Sequence, residues 1–145
     1  MSEKTILLVE DNASDEALTL RALSKNNIAS TVVVKRDGAE ALDYLLGPHS
    51  SPRGVCVLPQ LILLDLNLPK IGGLDVLRRI RGDARARLLP VVILTSSRED
   101  IDLVRGYGLG ANGYVRKPVD FVQFVETVSQ IGLYWLLINE RPPAV

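Results

Sequence analysis

Four stretches of the chain are apolar on almost every residue and only strand-length: Thr5–Val9, Thr31–Val34, Leu61–Leu64 and Pro90–Leu94. A fifth, Ala111–Val115, is more mixed. Runs of this kind read as strands covered on both faces, the habit of parallel sheets sandwiched by helices. Between them the apolar spacing changes to that of a helix. Leu18, Leu20, Ala22 and Leu23, with Ala17, form one stripe, and Ala39, Ala41, Leu42, Leu45 and Leu46 a second. Leu74, Val76, Leu77 and Ile80 form a third, within a helix predicted over residues 73–81. A fourth helix, over residues 99–109, is poor on propensity, because Gly106 and Gly108 each cost roughly 1 kcal/mol relative to Ala. A long fifth helix is predicted over residues 119–139, its first half carrying a core stripe of Phe121, Phe124, Val125 and Val128. Five strands alternating with five helices predict an α/β fold: a doubly wound parallel sheet in a three-layer α/β/α sandwich.

The composition narrows the class. At 145 residues, the whole chain is expected to form a single domain, residues 1–145, with no room for an output domain. Basic and acidic residues both number 17, so nothing suggests electrostatic capture of nucleic acid or membrane. A single cysteine excludes an internal disulfide and fits a reducing cytoplasm. The apolar run Ile6–Val9 is too short for a signal-peptide core or a membrane span. The Pro- and Gly-bearing segment from Gly47 to Pro59 reads as a long exposed loop; its His49 and Cys56 lack spaced partner ligands and are taken as bystanders. Arg78, Arg79 and Arg81 are assigned to a solvated helix face.

The chemistry lies where the strands stop. Strand one ends at Glu10-Asp11, strand three at Asp65, strand four at Thr95 and strand five at Lys117. In open α/β sheets ligands bind beyond the carboxyl ends of the strands. Two like charges about 4 Å apart repel by roughly 4 kcal/mol at an effective dielectric near 20, so three gathered carboxylates call for a cation. All-oxygen ligation favours a hard ion such as Mg²⁺, which typically also holds a phosphate oxygen. With Lys117 as a mobile positive charge and Thr95 as a hydroxyl donor, the set describes phosphoryl transfer to Asp65 as nucleophile.

This constellation resembles the receiver domain, the phosphoacceptor module of two-component response regulators, over essentially the whole chain. Glu10-Asp11, Asp65, Thr95 and Lys117-Pro118 match its strand-end positions in order, and Asp65, Pro69 and Gly73 meet its Asp-x-x-x-Pro-x-x-x-Gly spacing. The resemblance implies a flavodoxin-like sheet of strand order 2-1-3-4-5 and phosphorylation of Asp65 by a histidine kinase. It implies Mg²⁺ held by Asp11, Asp65 and the backbone carbonyl of Asn67, with Glu10 acting through water. It implies that Thr95 and Lys117 bind phosphoryl oxygens, that small Ser96 leaves room for the group, and that the bond before Pro118 is cis. Asn67 and Ser97 fall at positions that tune dephosphorylation, and Tyr114 matches the switch aromatic, with the fourth helix as the element that shifts. Such a protein catalyses only its own phosphorylation and dephosphorylation.

The second half of the last helix, Ile131-Gly132-Leu133-Tyr134-Trp135-Leu136-Leu137-Ile138, is apolar nearly all round. A helix of that kind needs burial on more than one side. Eight residues span only about 12 Å, so a partner rather than a membrane is expected. Leu133, Tyr134, Trp135, Leu136 and Leu137 are therefore assigned to a homodimer face. This ending, with the long loop before strand three, resembles single-domain regulators of bacterial phytochrome-type histidine kinases, which tend to pair through the fourth helix, fifth strand and fifth helix. Two rivals stand beside this reading. A haloacid-dehalogenase-like phosphatase wants a second Asp at position 67, which is Asn. A receiver-fold interaction module that is never phosphorylated would have no use for the complete acceptor site.

Overall fold

In the computed structural model, which describes residues 4–26, 30–47, 58–140 and 142, five strands form one parallel sheet in the order β2-β1-β3-β4-β5. The strands are β1 (Lys4–Val9), β2 (Ser30–Lys35), β3 (Leu61–Leu64), β4 (Val91–Thr95) and β5 (Gly113–Arg116). The helices are α1 (Ala13–Ser24), α2 (Gly38–Leu46), α3 (Gly73–Gly82), α4 (Asp100–Gly108) and α5 (Phe121–Leu133), the last continued by a π-helical segment, Tyr134–Ile138. The doubly wound flavodoxin-like architecture and its strand order are as expected.

Central strands explain the all-apolar runs. Every residue of β3 and β4 is buried, because helices cover both faces of the sheet. One face carries Leu7, Val9, Ile62, Leu64 and Ile93 against α2 and α3. The other carries Ile6, Leu8, Leu63, Val92 and Leu94 against α1 and α5. Alternate strand residues thus feed alternate layers. The register pairs Val9 with Leu64 and Leu64 with Ile93, so the chain leaves β1, β3 and β4 at one common rim.

Local chemistry starts the helices there. Asn12 caps α1, its side chain accepting from the Asp15 N–H at 2.9 Å. Asp37 caps α2 through the Glu40 N–H, and Asp120 caps α5 through the N–H groups of Val122 and Gln123. Gly73 opens α3 hard against β3's exit: a Cβ there would lie 2.2 Å from the Asp65 carbonyl oxygen. Only a residue without a side chain allows that approach.

Four expectations are corrected. Phe121 is not core but 73% exposed, because α5 turns its inner face to the sheet only from Phe124 onward. Ala17 is exposed as well. The end of the last helix widens from α to π geometry, closing with an Asn139 N–H bond to the Tyr134 carbonyl at 2.7 Å. There Leu136 turns inward and is 3% exposed, which removes it from any outward face. Arg81 is not on a solvated face. Its guanidinium reaches the carbonyls of Gly110, Arg87 and Leu89 and the Asn112 side chain, tying α3 to the loops before β4 and β5. The 18 residues Phe121–Ile138 have the length and mean hydropathy (1.3) of a membrane-crossing helix. Phe124, Val128, Ile131 and Leu136 from this stretch are instead spent on the sheet-facing core. His49 and Cys56, with most of the loop that holds them, lie outside the described residues.

Candidate phosphoacceptor site

The strand ends bring Glu10, Asp11, Asp65 and Lys117 together at one rim of the sheet, with Thr95 at the end of the adjoining β4, its carbonyl accepting from the Lys117 N–H at 2.7 Å. The order 2-1-3-4-5 makes β1 and β3 neighbours whose following helices pack on opposite faces, and the crevice between them is where the acids meet. Carboxylate oxygens of Glu10, Asp11 and Asp65 lie within 4.8 Å of one another, close enough to share one cation. Glu10 and Asp65 are buried, while Asp11 faces solvent. An ion can therefore enter from Asp11's side.

Lys117 stands opposite the acids. Its Nζ donates to Glu10 Oε1 at 2.7 Å, Asp15 Oδ2 at 2.8 Å and Asp65 Oδ2 at 3.1 Å. An ammonium has three protons, so it is fully used. The surrounding carboxylates hold the Lys117 amine well above its ordinary range despite its burial. Burial pushes the Glu10 carboxyl up as well, to about 7, with the Asp65 charge adding to the rise against the opposing hydrogen bond from Lys117. Glu10 thus holds its charge with difficulty until a cation supports it.

Asp65 leaves β3 with its N–H bonded to the Val9 carbonyl, so its backbone is part of the ladder to β1. Its Oδ1 accepts from the Asn67 N–H at 3.3 Å, while Oδ2 faces Lys117. Asn67 itself is exposed at the pocket mouth. Thr95 is fully buried at the end of β4, its Oγ1 accepting from the Ser97 N–H at 3.3 Å. Ser96 is exposed beside it. The Ser97 hydroxyl donates to Asp102 Oδ2 at 2.7 Å, which fixes the turn into α4.

Tyr114 lies half-buried on β5, its ring 6.5 Å from that of Tyr107 on α4. Its hydroxyl is buried on the Ser97 side, and burial pushes the phenol up. One expectation fails here: among the described residues no peptide bond is cis, so Lys117 and Pro118 are joined in trans. Trans is the intrinsically favoured isomer, and in it the Lys117 carbonyl accepts from Arg98 Nη2 at 3.1 Å.

Two residues of the site escaped the strand-end pattern. Asp15 lies in the first turn of α1, where an acid at a helix start carries no mark in the sequence of reaching Lys117. Asp102 lies in the first turn of α4 with no signal beyond its charge.

The chain belongs to the response regulator receiver domain family, whose model matches residues 6–129. A receiver domain is a phosphorylation-dependent module with an acidic metal-binding triad, and it acts catalytically only on its own acceptor. Among relatives, the probable methanogenesis regulatory protein FilR2 of Methanothrix harundinacea is 42% identical over 137 residues, covering 94% of this chain and 86% of its own. The crystal structure of the phosphorylated cyanobacterial phytochrome response regulator RcpA matches with TM-score 0.89 and 37% identity, over 98% of this chain and 100% of that one. The Mn²⁺-bound form of response regulator Rcp1, a protein of Synechocystis, matches with TM-score 0.87 and 34% identity, over 97% and 99%. The chain is thus closely related to phytochrome-type response regulators, and its acidic cluster is of the metal-coordinating kind.

Proposed function

We propose that this protein accepts a phosphoryl group from a histidine kinase on Asp65, with Mg²⁺ as its metal, and signals through protein–protein contacts. The observation that carries the reading is the buried Asp65 carboxylate held between an ammonium and two further acids, an arrangement costly to bury unless used. Asp11, Asp65 and the Asn67 carbonyl would hold the ion, with Glu10 acting through water. When bound, Mg²⁺ supplies charge neutralisation for the transferring group.

The chain's own residues do the rest. The Asn67 N–H fixes one oxygen of Asp65, so the carboxylate presents the other. That oxygen attacks phosphorus as the bond from phosphorus to the donor's nitrogen breaks. Lys117 then exchanges its bond with Asp65 for one to a phosphoryl oxygen, and Thr95 donates its hydroxyl to another. About two negative charges arrive with the group. Movement of Thr95 opens space for the Tyr114 ring, and the β4–α4 turn shifts with it. Asn67 and Ser97 flank the acceptor and set how fast water removes the group. Ser97 is engaged by Asp102 and offers no general base.

The partner is a histidine kinase of the phytochrome type, by likeness to RcpA, and the protein works in the cytoplasm, where such kinases draw on ATP. A homodimer would use Leu133, Tyr134 and Leu137, with half-buried Trp135 behind them. The test is intact mass after incubation with Mg²⁺ and a small-molecule phosphoryl donor. One phosphoryl adduct is expected on the parent and none on Asp65→Asn. No adduct on the parent, with the fold and Mg²⁺ binding intact, would leave the receiver as a constitutive binding module.

A further inference from the structure

The ammonium of Lys117 raises a difficulty for any metal in this pocket. Two of its three acceptors, Glu10 and Asp65, belong to the very set that would hold the cation. A divalent ion arriving there competes with the ammonium for the same oxygens and repels it. Unopposed, that repulsion would drive a flexible lysine side chain out of the pocket where phosphoryl transfer needs it. The third acceptor is different. Asp15 lies outside the triad, bonds Nζ at 2.8 Å and stands near the rim, its side chain 26% exposed.

Asp15 is also fixed in place independently of Lys117. Its N–H is capped by Asn12, and its carbonyl accepts from the buried Thr19 hydroxyl at 2.7 Å. The first turn of α1 therefore aims the carboxylate, and the helix N-terminus favours its charge. Nothing else in that turn approaches Lys117 among the described contacts.

We infer that Asp15 is a positioning residue: it draws the Lys117 ammonium toward the rim of the pocket, so that a divalent cation and the lysine occupy the acid cluster together. The inference rests on the Mg²⁺ reading above. As Glu10 and Asp65 turn to the metal, the ammonium keeps its bond to Asp15 and has two protons free for the phosphoryl oxygens. Asp15 thus acts on the metal through Lys117 and not as a ligand.

A double-mutant cycle on Mg²⁺ affinity, read by calorimetry, tests this on the full chain. It uses the parent, Asp15→Asn, Lys117→Met and the double variant. Asp15→Asn is expected to weaken Mg²⁺ about tenfold while Lys117 is present, the scale of losing a partner behind a metal site. In the Lys117→Met background the same change should cost under about twofold, because the competing cation has gone. Asp15→Glu should restore most of the affinity.

An equal loss in both backgrounds would overturn the inference, making Asp15 a ligand or a bare charge. So would no loss in either. A parent that binds no Mg²⁺ would instead sink the metal reading itself, so the two failures are told apart. Should Lys117→Met not fold, Lys117→Gln, equally uncharged, takes its place. An unmoved lysine ammonium signal in Asp15→Asn, followed by ¹⁵N NMR through a Mg²⁺ titration, would then be the overturning result.

Discussion

Glu10 shows how far a single residue can be tuned by its neighbours. It is 1% exposed, and its carboxyl is pushed up from 4.5 to about 7. A folded-state value above the unfolded one means that the native protein binds the extra proton between those limits. Without metal, stability should therefore fall as pH rises from about 4.5 through about 7. Asp37 acts in the opposite sense and in another window. The Glu40 N–H lowers its carboxyl, so its contribution is present above 3.8 and lost as pH falls through the lowered value. Urea midpoints of metal-free protein should thus be higher at about pH 5 than at about pH 8, and Glu10→Gln should flatten the difference. Mg²⁺ binding should weaken below about pH 7, because Glu10 must lose its proton to support the ion. A calorimetric titration in buffers of different ionisation enthalpy would count that proton.

At this same scale the limits of sequence reading are clear. Asp65, Lys117 and Thr95 were legible because a polar residue that ends an apolar strand has its position dictated by the strand. Asp15 and Arg81 were not. Where a long or helix-borne side chain ends depends on which neighbours the tertiary fold supplies. For Arg81 these are carbonyls up to 29 residues away in sequence. That guanidinium uses several donors at once, which a lysine ammonium cannot match in geometry. Arg81→Lys should lower stability by about 1.5–3 kcal/mol in urea unfolding, the range for hydrogen bonds to a charged group.

At the scale of elements, α4 resolves the puzzle of its two glycines. A Cβ on Gly106 would come 2.8 Å from Ile93 Cδ1 and 3.2 Å from Tyr114 Cδ2, whereas one on Gly108 would meet nothing within 4 Å. Gly106 lets α4 lie directly on β4 and on the Tyr114 ring, so its low helix propensity is exchanged for close packing. Gly108 has no such return. Gly108→Ala should stabilise by about 0.4–1 kcal/mol, the usual gain at a compatible glycine. Gly106→Ala should destabilise by about 1–3 kcal/mol as an overpacked core position, and it should also disturb Tyr114. Thermal unfolding of the pair separates propensity from packing within one helix. Propensity had marked α4 as weak without saying why, since the cause lies across the layer and not along the chain.

At the scale of the whole molecule, one sheet serves two ends. Its rim gathers the acceptor chemistry, and α5 with its π-helical continuation carries apolar surface away from it. Periodicity foretold that this ending is apolar all round but could not divide it into faces, because the widened turn changes the angular step between residues. Observed exposure makes the division: Tyr134 is 46%, Leu137 57% and Ile138 63% exposed, against 3% for Leu136. If the outer set is a twofold interface, a charge there should break association without touching the fold. Tyr134→Glu and Leu137→Glu should then sediment as monomers with an unfolding midpoint close to that of the parent under matched monomeric conditions. Leu136→Ala belongs to the other face and should cost about 2–5 kcal/mol, as a buried leucine truncation does. Sedimentation and unfolding measured together decide the matter. Unchanged association in both glutamate variants would move the interface to the exposed residues Ile101, Val104 and Tyr107 of α4, and the same pair of measurements on charged variants there would follow.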